Sequence, residues 1–432
     1  MFFAYLLKSL IKEGELTVLN VKGEEFRVGD PRTGPAVAIR LHNRLLPYKL
    51  LLNPRLYVGE AYMDGELTVE NGSIYDFLDL FGLNTGTGTI NWFDTWATKV
   101  RLLWRRYNQA NPLHRARSNV AHHYDLSPAL YDLFLDKNRQ YSCAYFVSGQ
   151  EDLDQAQENK LCHIAAKLCL DRPGLSVLDI GSGWGGLGLY LAELAEARVT
   201  GLTLSSEQHH FSNHEAAKKQ LDHLASFYLR DYREEAGRYD RIVSVGMFEH
   251  VGTPNYRKFF EKLRALLADD GVALLHTISH MDEPYPTNPW LQKYIFPGGY
   301  SPALSEILPA IEQAGLWVTD VEILRLHYAE TLRKWRERFV SRWDDAAQLY
   351  DERFCRMWEF YLAASEMTFR RQGHMVAQIQ LAKAPDAVPL TRDYIGEREN
   401  ALRRTPAESP NGAGSWPFNR KNRSSPLDRT TT

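Results

Sequence analysis

A short glycine-rich segment is the clearest candidate for chemistry in this sequence. The stretch VLDIGSGWGG, Val177 to Gly186, takes an apolar strand to Asp179 and then passes through Gly181 and Gly183 into a helix. Glycine tolerates positive φ and lets the backbone approach a ligand closely, and the amides at the start of the helix can face a carboxylate or phosphate. The segment predicts a cofactor-binding loop, although a structural turn and a dinucleotide loop share this strand–turn–helix logic.

The order of residues in this loop narrows the cofactor. An acid before the first glycine, in a DxGxGxG order without GxGxxG spacing, resembles the class I methyltransferases that bind S-adenosylmethionine. That superfamily often carries an acid at the end of the second strand to hold the ribose hydroxyls. Here the segment GLTLSSEQ offers Thr203, Ser205 and Gln208 for this role, or Glu207. The departure leaves the ribose partner open among these four residues.

An acidic and an aromatic residue precede the next strand, DRIVSVGM. Asp231 could accept a hydrogen bond from an adenine amino group, with Tyr232 beside the ring. Taken alone, Asp231 is equally typical of a helix cap.

Two further polar side chains lie where apolar strands end. Glu249 follows the strand DRIVSVGM, and His276 lies within GVALLHTI. In doubly wound sheets the carboxyl edge of the strands is where ligands bind, so both side chains are candidates for a reaction site. The ordinary alternatives are a helix cap for Glu249 and a satisfied core histidine for His276.

The elements around these residues predict the fold class. Residues 151–325 alternate predicted helices and strands, which indicates an α/β fold with a doubly wound, mostly parallel sheet covered on both faces. A long helical stretch follows over 330–372, and GHMVAQIQLA is typical of a closing strand. We expect a Rossmann-like class I methyltransferase domain with a helical insertion.

Shifts in composition divide the chain into four parts. We expect a small α+β, lipid-binding-like domain at 1–90, a basic tryptophan-rich connector at 91–125 and a catalytic domain at 126–384, which contains a lid-like helical segment at 328–373. Proline, arginine, serine, asparagine and glycine dominate residues 385–432, so we expect a disordered tail there.

The overall composition excludes several classes of protein. A formal net charge of −3 and 12% aromatic residues argue against a wholly disordered chain and against a dedicated nucleic-acid binder. No segment reaches the roughly 18 uninterrupted apolar residues of a membrane span. Four cysteines without zinc spacing predict no metal site and a reducing compartment. We expect a cytoplasmic protein without a secretory signal.

Two segments could nevertheless contact a membrane. The first residues, MFFAYLLKSLIKEGE, predict a helix that either packs on the body of the protein or lies on a bilayer. No acidic residue occurs between Thr95 and Tyr124, where six basic residues stand near three tryptophans. This connector is either a solvated basic helix or a docking surface for anionic lipid.

Seven segments in a fixed order resemble one enzyme family. They are AHHYDLSPALYDLFLD, QYSCAYF, VLDIGSGWGG, GLTLSSEQ, VGMFEHVG, LHTIS and HYAETLRKW. Together they resemble the cyclopropane-fatty-acyl-phospholipid synthases and the mycolic acid cyclopropane synthases, from about residue 122 to 382. Residues 51–73 resemble part of the small front domain of the phospholipid enzymes, which the mycolic acid enzymes lack. The resemblance therefore favours a phospholipid acceptor.

The resemblance also implies a reaction and its site. The cis double bond of an acyl chain attacks the methyl group of S-adenosylmethionine, and a base then removes a proton so that a cyclopropane ring closes. In this family the base is a bound bicarbonate ion. Its implied cradle consists of Cys143, Glu249, His276, Ile278 and Tyr328, where Cys143 and Ile278 contribute backbone amides. The implied S-adenosylmethionine site comprises Tyr141, Ser142, Asp179, Gly181, Gly183, Thr203, Gln208, Asp231 and Tyr232.

Three alternatives stay open at this point. The first is a fatty-acyl methyltransferase that adds a methyl or methylene branch through the same cation. The second is a non-catalytic lipid-binding protein, and the third, which the near-neutral charge disfavours, is a methyltransferase for small molecules or nucleic acid. The expected partners are unsaturated phospholipid acyl chains at a membrane surface, with transient peripheral association and no nucleic acid. Whether the protein forms a homodimer is left open.

Overall fold

The computed structural model describes residues 2–86 and 126–404. The predicted connector at 91–125 lies wholly outside these residues, and so does the part of the predicted tail after residue 404. Among the described residues, no helix is both long and apolar enough to cross a membrane. Within the same two ranges, no group of three or more His, Cys, Asp or Glu side chains is placed to hold a metal ion.

Residues 2–86 form a front unit of four helices and one small sheet. Its elements are α1 (Phe2–Leu10), β1 (Gly14–Leu19), β2 (Glu25–Asp30), β3 (Ala36–Leu41), α2 (Leu46–Leu52), α3 (Pro54–Met63), β4 (Leu67–Asn71) and α4 (Ile74–Thr85). The strand order is β2-β1-β3-β4, and β1 and β3 run parallel. Alternate side chains of β1 are buried, since one face of the sheet packs on the core.

Residues 126–404 form the larger unit. Its first elements are α5 (Pro128–Asp132), α6 (Leu153–Lys167), β5 (Ser176–Ile180), α7 (Gly186–Ala195), β6 (Arg198–Thr203), α8 (Ser206–Lys218) and β7 (Ala225–Leu229). The next are β8 (Tyr239–Val245), α9 (Tyr256–Leu266), β9 (Leu267–His280), α10 (Pro289–Tyr294), α11 (Leu304–Gln313) and β10 (Trp317–Leu324). The last are α12 (His327–Ser341), α13 (Trp343–Leu349), α14 (Glu352–Arg371), β11 (His374–Ala382) and α15 (Asp393–Arg404).

The seven-stranded sheet confirms the predicted α/β class. Its order is β10-β11-β9-β8-β5-β6-β7, in which β5 to β9 pair in parallel and β10 and β11 are antiparallel additions. From β5 the chain moves outward to β6 and β7, and then crosses back to β8 on the other side of β5. This reversal is the switch point where doubly wound sheets bind ligands, at the carboxyl ends of the strands.

The helical insertion packs against the front unit. Three helices, α12 to α14, separate β10 from β11, and α14 contacts α3 and α4. The Tyr62 hydroxyl donates to Glu359 over 2.6 Å, and Arg371 donates to both oxygens of Asp79 over 2.8 and 3.0 Å. The insertion therefore joins the two units, in addition to covering one end of the sheet.

The C-terminal region differs from its prediction. Residues 385–404 are ordered, and α15 packs on α6, so a disordered tail beginning at residue 385 is wrong for this stretch. Tyr394 and Ile395 are buried in a small apolar cluster, and Glu399 accepts from buried His163. These three buried residues lie among many charged ones, so the composition of the segment did not predict an ordered helix.

Candidate active site

A pocket opens at the carboxyl ends of β5, β6 and β8. The structure brings all nine residues of the expected cofactor site to its wall: Tyr141, Ser142, Asp179, Gly181, Gly183, Thr203, Gln208, Asp231 and Tyr232. The loop that precedes α6 supplies the first two residues, and the strand ends supply the others. The pocket therefore lies at the switch point of the sheet.

The glycine-rich loop needs its glycines for conformation and for space. Gly181 has a φ of +83°, and a Cβ there would come within 2.7 Å of the Met247 side chain. Gly183 has a φ of +55° and faces open space. The backbone can thus turn tightly at the base of the pocket while it leaves room for a ligand.

Asp179 is a buried acid at the end of β5. It is 1% exposed, and its Oδ2 has no hydrogen-bond partner among the described residues. Burial raises the pKa of Asp179 to about 7, and the charge of Lys160 acts in the opposite direction. An unpaired buried carboxylate oxygen is costly, so Asp179 fits a ligand that brings donors, such as the amino group or hydroxyls of S-adenosylmethionine.

The structure shows which of the polar residues at the end of β6 face the pocket. Thr203 donates to Oε1 of Gln208 over 2.8 Å, and both side chains line the pocket. Ser205 instead caps α8 by accepting from the Gln208 amide, and Glu207 is exposed. Of the four candidate residues, Thr203 and Gln208 are therefore the two that line the pocket.

Asp231 lies at the pocket but is fully engaged by its neighbour. Its carboxylate accepts from the Arg233 amide over 2.9 Å and from the Arg233 guanidinium over 2.8 and 2.7 Å. This geometry matches the helix-cap interpretation, because Asp231 begins the 3₁₀ turn Tyr232–Glu234. The Tyr232 ring lines the pocket and packs edge-on against Phe259, which suits an aromatic wall for a nucleobase.

Sequence reasoning missed several residues of the pocket wall, Arg139 and Trp184 among them. Arg139 lies 5.1 Å from the Trp184 ring centroid and 4.1 Å from that of Phe211, and it makes two hydrogen bonds with Asp132. Their positions in the sequence could have indicated a place in the pocket wall, since Trp184 lies inside the glycine-rich loop and Arg139 comes directly before QYSCAYF.

Glu249 lies in the 3₁₀ turn that follows β8. Its Oε1 accepts from the Ile278 amide on β9 over 2.6 Å, whereas Oε2 is buried without a partner in the described part of the chain. Burial raises the pKa of Glu249 to about 7, although the hydrogen bond from Ile278 opposes the shift. The Ile278 amide therefore orients this carboxylate, a role that the expected anion cradle did not include.

His276 pairs with Val245 in the ladder between β8 and β9. Gln378 Nε2 lies 3.1 Å from His276 Nδ1, and an amide nitrogen only donates, so the ring proton is on Nε2. Burial lowers the pKa of His276 well below its usual value, which keeps the ring neutral. Nε2 is buried and has no hydrogen-bond partner among the described residues. In the tautomer that accepts from Gln378 at Nδ1, Nε2 carries the ring proton and can donate to a ligand.

Cys143 and Tyr328 are brought together by α12. The Ala144 amide donates to Thr331 over 3.0 Å, one turn after Tyr328. Cys143, Tyr328 and Ile278 belong to one hydrophobic cluster. Burial raises the pKa of the Cys143 thiol, so the side chain is a neutral, apolar part of the wall. This environment favours a positional role for Cys143 over thiolate chemistry.

The arrangement combines polar atoms with aromatic walls. The Tyr328 ring packs edge-on against Trp335, and Trp335 stacks on Tyr141 at 5.2 Å. Electron-rich rings stabilise a nearby cation, by about 2 kcal/mol or more once water is excluded. A site of this kind can stabilise a developing positive charge and direct a small hydrogen-bonding base, which suits chemistry on an uncharged carbon skeleton.

The packing of Gly186 leads to a first prediction. A Cβ at this position would lie 2.4 Å from the Asn138 carbonyl oxygen and from Gln140 Nε2, so Gly186→Ala should displace the loop that carries Tyr141. Overpacking costs about 1–3 kcal/mol. We expect calorimetry to show an affinity for S-adenosylhomocysteine at least about 10-fold weaker. Gly396→Ala is the control, because its Cβ meets nothing within 4 Å. Equal affinities would contradict the prediction.

Comparisons with known proteins agree with this geometry. The profile of the family described as mycolic acid cyclopropane synthetase matches residues 112–379, more than half of the chain. The cyclopropane-fatty-acyl-phospholipid synthase of Escherichia coli K12 is 36% identical over 361 residues, which cover 83% of this chain and 91% of that protein. A probable fatty acid methyltransferase of Pseudomonas putida is 40% identical over 286 residues, covering 63% of this chain and 72% of that protein.

A solved structure shows the same fold. The mycolic acid cyclopropane synthase CmaA1, in a complex with SAH and CTAB, superimposes with a TM-score of 0.59 at 32% identity, over 63% of this chain and 99% of that one. The expected resemblance and the expected fold are thereby confirmed. The chain belongs to the mycolic acid cyclopropane synthetase family and is an S-adenosylmethionine-dependent transferase.

Proposed function

We propose that this enzyme transfers a methylene group from S-adenosylmethionine to the cis double bond of unsaturated acyl chains in phospholipids, which forms a cyclopropane ring. The observation that carries the proposal concerns two buried polar atoms, Glu249 Oε2 and His276 Nε2, which have no hydrogen-bond partner in the part of the chain that the structure describes. Their neighbours Met247, His250 and Val245 line the cofactor pocket. Glu249 Oε2 accepts a hydrogen bond when the carboxyl group is ionised and can donate one when it is protonated, whereas His276 Nε2 donates. Together they suit a small ligand with both a hydroxyl group and an oxyanion.

The residues present fit bicarbonate as that ligand. A neutral His276 would donate to a bicarbonate oxygen, and Glu249 would accept from its hydroxyl. Ile278 would hold Glu249 in place through the 2.6 Å bond, while Cys143 and Tyr328 would complete the wall. When bound, bicarbonate would supply the base for the proton lost from the transferred methyl group.

The aromatic residues would exclude water and stabilise the cation. An alkene is a weak nucleophile, so its electrons need an electrophilic methyl group and a dry site more than they need activation by a base. Tyr328 and Tyr141 are both in ring contact with Trp335, and all three belong to the hydrophobic cluster that also includes Ile278. Their ring faces would lower the energy of the positive charge that develops on the acyl chain.

The extent of the similarities favours a phospholipid acceptor. The Escherichia coli phospholipid enzyme matches 83% of this chain, whereas 99% of the CmaA1 structure corresponds to only 63% of it. Helices α1 and α2 of the front unit contact each other. They expose the large side chains Tyr5, Tyr48 and Leu52, and α1 also exposes Lys8. We infer a cytoplasmic enzyme that binds bilayer surfaces transiently through such apolar and basic side chains.

A second candidate is a fatty acid methyltransferase that adds a branch. The named activity of the Pseudomonas putida relative, at 40% identity, favours it. Both reactions pass through the same cation, so the residues above serve either outcome.

One experiment separates the two candidates. The protein is incubated with isotopically labelled S-adenosylmethionine and vesicles of monounsaturated phospholipid, with bicarbonate added or removed. We expect the product to gain CH₂, its olefinic protons to disappear from the NMR spectrum, and turnover to fall when bicarbonate is depleted. A branched product would favour the methyltransferase. No labelled lipid, despite cofactor binding, would contradict both.

A further inference from the structure

A fully buried lysine lies behind the cofactor pocket, outside the expected site. Lys160 is on α6 and is 0% exposed. Its ammonium group donates to Gln140 Oε1 over 2.5 Å and to Ser142 Oγ over 3.0 Å. Both acceptors are neutral. Burial of an ammonium group without a hydrogen-bonded carboxylate is costly, so the position calls for a compensating function.

The two acceptors belong to the wall of the cofactor pocket. Gln140 and Ser142 both line it, on either side of Tyr141. One helical turn before Lys160, Gln157 donates from Nε2 to the Ser142 carbonyl over 2.9 Å. A single face of α6 therefore holds both the side chains and the backbone of this short segment.

The same segment is pressed against the glycine-rich loop. The Asn138 carbonyl and the Gln140 side chain occupy the space where a Cβ of Gly186 would be. A shift of Gln140 would consequently reach the start of α7, where Leu187 lines the pocket. Lys160 thus connects α6, the Gln140–Ser142 segment and the glycine-rich loop.

The charge of Lys160 is also placed to act on Asp179. The titratable groups that face Lys160 are Asp136, Cys143, Asp179 and His276. Burial raises the pKa of Cys143 and lowers that of His276, so both are neutral, and the two aspartates remain as the negative partners. Burial lowers the pKa of Lys160 to about 8, which leaves the cation in place at neutral pH.

We propose that Lys160 is a positioning residue for S-adenosylmethionine, which holds the Gln140–Ser142 segment against the pocket. Its positive charge also favours the charged form of Asp179. This inference rests on the proposed use of that cofactor. It assigns Lys160 to cofactor binding and not to the methylene transfer itself.

The test uses binding of S-adenosylhomocysteine to the full-length protein, measured by calorimetry from pH 5.5 to 8. For the unchanged protein, affinity should fall as the pH drops through about 7, since protonation of Asp179 removes an acceptor. In Lys160→Met, we expect about 10- to 100-fold weaker binding at pH 7.5. The midpoint of the pH dependence should also move to higher pH, because the cation that favours the carboxylate is gone.

Two further variants separate the contributions of the lysine. Lys160→Gln keeps a donor but not the charge, so it should recover part of the affinity and retain the raised midpoint. Lys167→Met removes the other lysine of α6 that is 0% exposed, whose partners are Glu322 and Asp320, away from the pocket. We expect the midpoint of Lys167→Met to match that of the unchanged protein.

The outcomes distinguish this inference from the proposed function. Affinity within twofold and an unchanged midpoint in both Lys160 variants would overturn the positioning role, whatever the lipid assay shows. Absence of binding to the unchanged protein would overturn the use of the cofactor, and the proposed function with it. If Lys160→Met does not fold, the midpoint of the pH dependence of binding in Lys160→Gln alone decides whether Lys160 has the positioning role.

Discussion

Glu249→Gln is expected to lower kcat about 100- to 1,000-fold, a loss typical of removing one preorganised polar group from a reaction site. The glutamine oxygen can still accept from the Ile278 amide, so the turn after β8 should keep its structure. An NH₂ group then takes the place of Oε2. It would meet the hydroxyl of bicarbonate donor to donor, and the base would lose its orientation.

The assay measures methylene transfer to monounsaturated phospholipid vesicles and, separately, affinity for S-adenosylhomocysteine. Affinity should stay within about threefold of that of the unchanged protein. Glu261→Gln is the control, an exposed glutamate on α9 that pairs with Arg257 over 2.7 Å. The control should retain full turnover, and normal turnover in Glu249→Gln would overturn the bicarbonate assignment.

The pH dependence of the same variant adds a second readout. Because burial raises the pKa of Glu249 to about 7, its carboxylate is lost as the pH falls through that value. The kcat of the unchanged protein should therefore decrease below about pH 7. The residual kcat of Glu249→Gln should lack this acidic limb, because an amide does not titrate in this range.

Trp335→Ala is expected to destabilise the protein by about 3–5 kcal/mol, the usual cost of truncating a fully buried tryptophan. The side chain is 0% exposed and lies between three rings. It stacks on Tyr141 at 5.2 Å and packs edge-on against Phe134 at 6.0 Å and Tyr328 at 5.8 Å. The substitution removes the contact through which α12 packs on Tyr141 and Phe134.

Urea unfolding followed by circular dichroism gives the change in the free energy of unfolding. Trp335→Phe keeps a ring in the cluster and should recover most of the stability. Trp343→Ala, on the neighbouring helix, removes a tryptophan that is only partly buried and should cost less. A loss below about 1 kcal/mol for Trp335→Ala would show that the cavity collapses and that the ring cluster is not rigid.

The sequence predicts the parallel sheet and the cofactor loop because their signals are local. An apolar strand, an acid and three glycines form one continuous segment, and parallel strands bring their ends to one edge. The pairing of Glu249 with Ile278 is different. It joins residues 29 positions apart, and it depends on how the turn after β8 folds back on β9. Sequence patterns carry no signal for such a contact.

Helix α6 shows why Lys160 escaped attention. Its sequence, LDQAQENKLCHIAAK, has the polar residues of a surface helix, yet Gln157, Lys160, His163 and Lys167 are all buried. Each finds its hydrogen-bond partners on other segments, such as the pocket wall, β10 and α15. Predictions from hydrophobic periodicity place polar residues in contact with water. In α6, hydrogen-bonding groups of the protein take the place of that water.

The contacts between the front unit and the helical insertion have a mechanical consequence. Tyr62, Asp64 and Asp79 of the front unit are bonded to Glu359, Arg353 and Arg371 of α14, so displacement of α14 carries the front unit along. The insertion also bears Tyr328 and Trp335. A displacement of the front unit is therefore transmitted through α14 to α12 and its two rings. In the proposed function, this link would couple contact with a bilayer to the entry of an acyl chain.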